Sequence, residues 1–169
     1  MTWRAVGLGK PGTWWKVPLL AALSAVVISV VVNVLLGPVV ERIAGGVASA
    51  SRFESVRGNA IVLIGWLSVA WTLAAFGEEM VFRGYLMNRI SDLAGSGRAG
   101  WISALLGSSL IFGLGHAYQG LAGVIGTAEM GLLLGILYLV NRRNLWTNIV
   151  CHGLIDSISL VSLYLSAAP

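Results

Sequence analysis

Six ionisable side chains stand in three short groups inside otherwise apolar stretches of the chain. His116 and His152 are the only two histidines of the sequence. Carboxylates and imidazoles are the side chains that most often move protons in catalysis. Because burying such groups in an apolar setting is costly, their presence indicates a functional site. In chain order the groups are Glu78, Glu79 and Arg83; then His116, four residues after Phe112; then His152 and Asp156.

The spacing within the groups predicts different surroundings for the two glutamates. Residues four apart share a helix face, so Glu79 and Arg83 are expected to form an ion pair. Adjacent helical residues point about 100° apart, so the Glu78 carboxylate is free to face a cavity. In the third group Asp156 can reach back to His152, where it would fix the tautomer and favour the imidazolium. Two histidines and a carboxylate from separate helices could then surround one water molecule.

The elements that must position these groups are predicted to be transmembrane helices. The 169 residues are 57% hydrophobic and 11% charged, with a mean hydropathy of +0.84, whereas soluble domains average about 25% charged residues. A bilayer core of about 30 Å needs about 20 apolar residues per helix, and four long stretches of the chain hold one formal charge or none. Their lengths predict an all-α, polytopic transmembrane bundle with about five spans, near 17–37, 58–90, 99–117, 120–140 and 145–166.

Charge and small residues predict how this bundle is arranged. With a cytoplasmic N-terminus the inside segments would hold seven basic residues and the outside segments three, which favours that orientation. The net charge of +4 then requires no nucleic-acid partner.

Residues 1–57 are predicted to form an anchor helix and a polar loop, and residues 58–169 the core with the site. The second span is too long for one crossing, so its last part, from Gly84, is expected to leave the membrane or to lie along the interface. Gly131 and Gly135 form a G-x-x-x-G pattern, which predicts close helix packing within the chain.

Taken together, the three groups resemble the CAAX prenyl protease and bacteriocin-processing (CPBP or Abi) family of intramembrane proteases. The resemblance covers roughly residues 60–165, and the first helix lies outside it. It implies an intramembrane endopeptidase that hydrolyses a peptide bond with a Glu/His-activated water and has no cofactor. It also implies membrane lipid as surroundings, a prenylated or leader-bearing peptide as substrate, and a prokaryotic plasma membrane as location. The matching motifs are E-E-x-x-x-R at 78–83, F-x-x-x-H at 112–116 and H-x-x-x-N/D at 152–156.

The resemblance also implies a role for each residue of the motifs. Glu78 matches the catalytic glutamate and would activate a water together with His116. His152 and Asp156 would polarise the substrate carbonyl and stabilise the developing oxyanion. The family pattern favours Asn at the last position, and an ionised Asp cannot donate a hydrogen bond as Asn does. Asp156 must therefore either stay protonated in its apolar site or act indirectly by charging His152, and we expect the second. Supporting roles fall to the Glu79–Arg83 pair and to Phe112, which would pack beneath His116.

Alternative functions remain open at this level. Glu78, His116 and His152 could bind zinc in a metal-dependent version of the same protease, although the H-E-x-x-H signature is absent. The chain could also be a non-proteolytic membrane scaffold or immunity factor with the same fold. A proton-coupled carrier would place similar residues in the membrane, but the sequence lacks the internal symmetry typical of carriers. Glu129 matches none of the motifs, and Cys151 is expected to be a small packing residue.

Overall fold

The structure is a computed structural model that describes residues 3–4 and 6–166, so the last three residues of the predicted core 58–169 lie outside it. Five long helices and no strands make up the described part of the chain, which confirms the predicted all-α bundle. Short 3-10 segments, Ser51–Val56 and Ala117–Gln119, join α1 to α2 and α3 to α4. The helices are α1, Lys16–Ala44; α2, Ala60–Leu93; α3, Arg98–Leu114; α4, Gly120–Val140; and α5, Leu145–Leu165.

The helices form a bundle suited to a bilayer. Four of them, α1, α2, α4 and α5, are long and apolar enough to cross a membrane. The apolar α3 has 17 residues, so it rises about 25 Å, slightly less than a bilayer core of about 30 Å. Large apolar side chains face outward, among them Leu23, Ile61 and Val140, each more than 60% exposed. Lipid, not water, is the solvent for such a surface, and the chain is an integral membrane protein.

Two of the helices change their backbone hydrogen bonding midway. α1 is π-helical over Val30–Leu36 and α2 over Ala70–Leu86, so N–H groups there reach back five residues instead of four. At the end of the second stretch, for example, the Met87 N–H donates to the Phe82 carbonyl. Such turns are uncommon and often occur at functional sites. The stretch in α2 carries the first of the three ionisable groups.

The length of α2 explains how His116 reaches the level of the glutamates. The predicted spans, taken as straight helices that begin at the membrane surface, place His116 nearer the outer face than Glu78. In the structure α2 continues 14 residues past Glu79 and α3 begins at Arg98, so α3 starts roughly 20 Å below Glu79. The 17 residues of α3 rise about 25 Å and return the chain to that level. The α2–α3 hairpin therefore extends well beyond the start of α5, which begins only seven residues before His152.

The glycines of α4 allow α3 to approach closely. A Cβ built on Gly131 would come within 3.0 Å of the Phe112 ring, and one built on Gly135 within 2.5 Å of the Leu105 side chain. Side chains at these two positions would therefore push the helices apart. The close packing predicted for the G-x-x-x-G pattern is confirmed, and its partner is α3 of the same chain.

The first helix is part of the same core as the later ones. Ala21, Ala25 and Ile28 of α1 are buried against Leu134 of α4 and Cys151 of α5. Cys151 is fully buried in this apolar cluster, which confirms its predicted packing role. α1 thus shares its buried face with the helices that carry the site.

The N-terminal segment before α1 caps the beginning of α5. The backbone N–H of Leu145 donates to the Gly7 carbonyl at 2.8 Å. The side-chain amide of Asn144 donates to the Gly9 carbonyl at 2.9 Å. The first N–H groups of a helix have no partner within the helix. Gly7 accepts from the first of them, and Asn144, which accepts from the Trp146 N–H, is itself held by Gly9.

Replacing Gly113 of α3 by Ala is expected to lower the stability of the bundle by about 1–3 kcal/mol. The added Cβ would lie 2.5 Å from the Val124 carbonyl oxygen and 2.7 Å from the Ala128 Cβ, and the backbone oxygen cannot rotate away. Gly65→Ala is the control, since no atom lies within 4 Å of a Cβ built there. Thermal unfolding in detergent, followed by tryptophan fluorescence, measures both. Equal midpoints for the two variants would contradict the close contact at Gly113.

Candidate active site

A cavity of about 860 Å³ lies between the helices, and side chains from all three ionisable groups reach it. Glu79 and Arg83 are instead fully buried in the protein interior. The structure therefore separates the residues predicted as catalytic from the pair predicted as supporting. The residues predicted as catalytic, all of which line the cavity, are Glu78, His116, His152 and Asp156.

Glu79 and Arg83 form the predicted ion pair. Nη1 of Arg83 donates to Oε1 of Glu79 at 2.8 Å, and neither side chain is more than 1% exposed. Nη2 of Arg83 donates to the carbonyl of Gly131 in α4 at 2.9 Å. The guanidinium thus joins α2 to α4, at a position where the glycine leaves the helix backbone accessible. An ion pair buried this deeply needs such additional hydrogen bonds to offset its desolvation.

Glu79 also holds His152 of α5. Nδ1 of His152 lies 3.0 Å from Oε1 of Glu79. A carboxylate paired with Arg83 can only accept, so Nδ1 of His152 carries the proton and donates it. Nε2, the other ring nitrogen, is then left to face the cavity. The hydrogen bond fixes both the tautomer and the orientation of the ring.

This arrangement corrects the sequence-based expectation for Asp156. The i,i+4 spacing predicts that Asp156 fixes the His152 tautomer, but Glu79 makes that hydrogen bond. Oδ2 of Asp156 lies 3.7 Å from Nε2 of His152, which is beyond hydrogen-bond distance. Asp156 therefore faces the cavity side of the ring, and its side chain is 24% exposed. The spacing on one helix could not reveal that a carboxylate from another helix lies closer.

Glu78 has the free position that its spacing from Arg83 predicts. Its side chain is 29% exposed, in contrast to the fully buried Glu79. Oε2 of Glu78 lies 3.9 Å from Nε2 of His152. The carboxylate and the imidazole thus lie next to each other in the cavity lining. The distance between them is longer than a direct hydrogen bond. A water molecule near both groups could give up a proton to the carboxylate.

His116 reaches the cavity from the turn that follows α3. Its ring folds back by one helical turn, so that Nδ1 lies 2.9 Å from the carbonyl oxygen of Phe112. A carbonyl only accepts, so Nδ1 donates and Nε2 stays available. The rings of His116 and Phe112 lie 4.9 Å apart, and Phe112 also contacts the Arg83 guanidinium at 4.8 Å. Phe112, which is buried, packs against His116 as predicted.

Sequence reasoning missed Asn148. This residue is completely buried, and its side-chain amide donates to Oε2 of Glu79 at 3.1 Å and to the Leu134 carbonyl at 2.8 Å. The available signal was its spacing, since Asn148 precedes His152 by four residues and Asp156 by eight on the same helix face. Glu79 therefore accepts hydrogen bonds from three side chains, two of them on α5.

The fourth intramembrane carboxyl of interest, Glu129, lies elsewhere. It is not among the residues that line the cavity, and within the described chain its Oε2 is buried without a hydrogen-bond partner. Among residues 3–4 and 6–166, no group of three or more His, Cys, Asp or Glu side chains is placed to hold a metal ion. The zinc-dependent alternative with Glu78, His116 and His152 stays a prediction.

Arg83→Met is expected to destabilise the protein by about 3–5 kcal/mol, because it leaves the Glu79 carboxylate buried without its cation. Arg89→Met is the matched control. Arg89 pairs with Asp92 at 2.6 Å, but both side chains are about half exposed, and such pairs contribute about 0–1 kcal/mol. Denaturation in mixed micelles measures the difference. Similar losses of unfolding free energy in the two variants would contradict a stabilising role for the buried ion pair.

Comparison with known protein families identifies the region that contains the site. A family model described as type II CAAX prenyl endopeptidase Rce1-like matches residues 59–158. Searches among curated proteins and among solved structures give no match. The matched region includes all three ionisable groups and more than half of the chain, which confirms the resemblance drawn from the motifs. The chain belongs to the Rce1-like family of type II CAAX prenyl endopeptidases.

Proposed function

We propose that this membrane protein is an intramembrane endopeptidase that hydrolyses a peptide bond with a water activated by Glu78 and His116. One observation carries the proposal. The Glu78 carboxylate lines the same cavity as His116 and lies 3.9 Å from Nε2 of His152, whose ring is held on its other side by the buried pair of Glu79 with Arg83. Preorganised groups of this kind favour proton transfer, because they need not reorganise during the reaction. Family membership supports the same type of reaction.

The proposed reaction starts with a water bound near Glu78 and His116. The carboxylate takes a proton from the water while the water oxygen attacks the carbonyl carbon of the peptide bond. The electron pair of the carbonyl double bond moves to its oxygen and gives a tetrahedral oxyanion. When the oxyanion collapses, the carbon–nitrogen bond breaks and the proton held by Glu78 passes to the leaving amine. The products are a carboxylic acid and an amine, so atoms and charge balance without a cofactor.

His152 and Asp156 are proposed to stabilise the oxyanion. A protonated His152 can donate from Nε2 to the carbonyl oxygen, because Nδ1 already donates to Glu79. The Asp156 carboxylate, 3.7 Å from Nε2, stabilises the positive charge of the ring. Asp156 thus acts through the imidazole instead of contacting the oxyanion, since an ionised carboxylate cannot donate a hydrogen bond.

We also propose the membrane and the class of substrate in which the reaction takes place. We propose a prokaryotic plasma membrane as the location by analogy with the family, and a cytoplasmic N-terminus because of the balance of basic residues. The substrate is proposed to be a membrane-associated peptide, either a prenylated C-terminal tail or a precursor with a leader. The apolar lining of the cavity, with residues such as Trp66, Val69 and Leu73, supports a substrate that carries apolar groups.

Glu78→Gln is expected to reduce peptide hydrolysis by about 10²–10⁴-fold, because the amide cannot accept the proton from water. Glu129→Gln is the matched control, since it neutralises another intramembrane carboxyl that does not line the cavity. Each variant is expressed in cells without the endogenous copy, and new peptide termini are mapped by mass spectrometry. Termini that appear with wild type and Glu129→Gln but not with Glu78→Gln support the proposal. Indistinguishable termini at equal protein abundance favour a non-proteolytic scaffold.

Activity is expected to persist after metal removal. The proposed mechanism uses only side chains, so dialysis of the purified protein against a zinc chelator should leave the cleavage rate unchanged. The zinc-dependent alternative predicts instead that activity disappears and returns when zinc is added back. Zinc content measured by elemental analysis before and after dialysis shows whether the treatment removed any metal.

A further inference from the structure

The cavity is lined by side chains of both charges. The carboxylates of Glu78 and Asp156 lie beside His152. A second region of the lining consists of residues from the segment 48–53, of Tyr118 and Gln119, and of the last turns of α5. Arg52 lies in this second region and is the only lysine or arginine that lines the cavity in the described part of the chain. This position lies outside the matched family region of residues 59–158.

The Arg52 guanidinium is positioned but not neutralised. Its central carbon lies 4.3 Å from the centre of the Tyr118 ring, a cation–π contact that orients its planar group. Among the described residues it forms no ion pair, whereas the neighbouring Arg57 is paired with Glu54 at 2.6 Å. A guanidinium presents paired N–H donors whose geometry matches the two oxygens of a carboxylate. Arg52 is therefore available to an anionic group that enters the cavity.

The segment that carries Arg52 is anchored at several points. The backbone N–H of Ser49 donates to the Gln119 carbonyl at 2.9 Å, which ties the segment to the turn that follows His116. The Phe53 ring packs edge-on against Trp66 of α2 at 4.8 Å. Val56 is completely buried. Arg52 is thus held on an ordered wall at a defined distance from the proposed catalytic residues.

That distance corresponds to a few residues of peptide. The Tyr118 ring lies 5.8 Å from the His116 ring and 4.3 Å from the Arg52 guanidinium, so at most about 10 Å separates Arg52 from His116. An extended chain spans about 3.3–3.6 Å per residue. A peptide that contacts both Arg52 and His116 therefore has at most about three residues between its anionic group and the bond that is cut.

We propose that Arg52 binds the C-terminal carboxylate of an extended peptide substrate and thereby determines which peptide bond reaches Glu78 and His116. The proposal rests on the proposed endopeptidase function, for which it names the feature of the substrate that is recognised. Tyr118 acts as a positioning residue for the guanidinium. The apolar side chains that line the cavity, such as Val69 and Leu73, contact the residues that precede the carboxylate.

The experiment compares two forms of one peptide. The probe is a fluorophore-labelled, farnesylated peptide ending in Cys-Val-Ile-Ala, made as the free acid and as the C-terminal amide. Its binding to the full chain carrying Glu78→Gln is measured in phosphatidylcholine nanodiscs, so that cleavage does not interfere. The acid is expected to bind about tenfold more tightly than the amide, as for a hydrogen-bonded charge pair. Adding Arg52→Gln is expected to abolish the preference, and adding Arg52→Lys to retain part of it.

Arg42→Gln, which removes a positive charge near the end of α1 at a residue that does not line the cavity, is the matched control and should leave the acid-to-amide ratio unchanged. A ratio that is the same with Arg52 and with Arg52→Gln would overturn the proposal. Repetition in phosphatidylglycerol nanodiscs tests a lipid phosphate as the anion. If Arg52 bound lipid, its replacement would weaken the acid and the amide equally, and only in the anionic nanodiscs, which would also overturn the proposal.

The outcome for Arg52 is separable from the outcome for the proposed function. Carboxylate-dependent binding that requires Arg52 supports the inference even when wild type fails to cleave the bound acid, a result that would contradict only the endopeptidase proposal. Cleavage of acid and amide at equal rates by wild type and by Arg52→Gln would contradict only the role of Arg52. Where wild type cleaves the acid, the released fragment is expected to contain at most about three residues.

Discussion

The position of the whole site depends on one buried carboxylate, Glu79. It accepts hydrogen bonds from Arg83 on its own helix and from Asn148 and His152 on α5, and Arg83 extends the connection to α4. In the interior of a membrane protein, water is not available to replace a lost hydrogen-bond partner. Removing one side chain of this network therefore leaves another polar group without a hydrogen bond. The network therefore favours a single register of α2, α4 and α5. The orientation of His152 is a direct result of that register.

The helix lengths and the small residues provide the second constraint. α2 extends 14 residues beyond Glu79 and α3 starts far below the site, so the end of α3, not its middle, arrives beside the glutamates. Gly131 then lets α3 lie close enough for Phe112 to pack between the Arg83 guanidinium and the His116 ring. The same glycine offers its carbonyl to Arg83. Gly131 therefore contributes both to the close packing of α3 against α4 and to the hydrogen bonding of the buried Arg83.

Much of this architecture was predictable because it depends on local rules. Hydrophobic length gave the five helices, and the i,i+4 spacing gave the ion pair of Glu79 with Arg83 and the free position of Glu78. The hydrogen-bond partner of His152 could not be predicted from local spacing, because the choice between Asp156 and Glu79 depends on how α2 and α5 pack. The depth of His116 and the contribution of Asn148 depend on the same packing. Arg52 stood outside every motif, and its relation to the cavity arises only from the fold of the loop after α1.

The contact between Gly7 and the start of α5 changes what counts as the minimal unit of this protein. The family match begins at residue 59, yet the first N–H of the helix that holds His152 donates to residue 7, the N-cap Asn144 donates to residue 9, and part of the helix's buried face packs against α1. The segment that is recognisable by comparison is therefore smaller than the segment that folds as one body. A fragment cut to the matched boundaries would retain every residue of the three motifs and lose the supports that align them, so modularity in sequence does not imply modularity in structure.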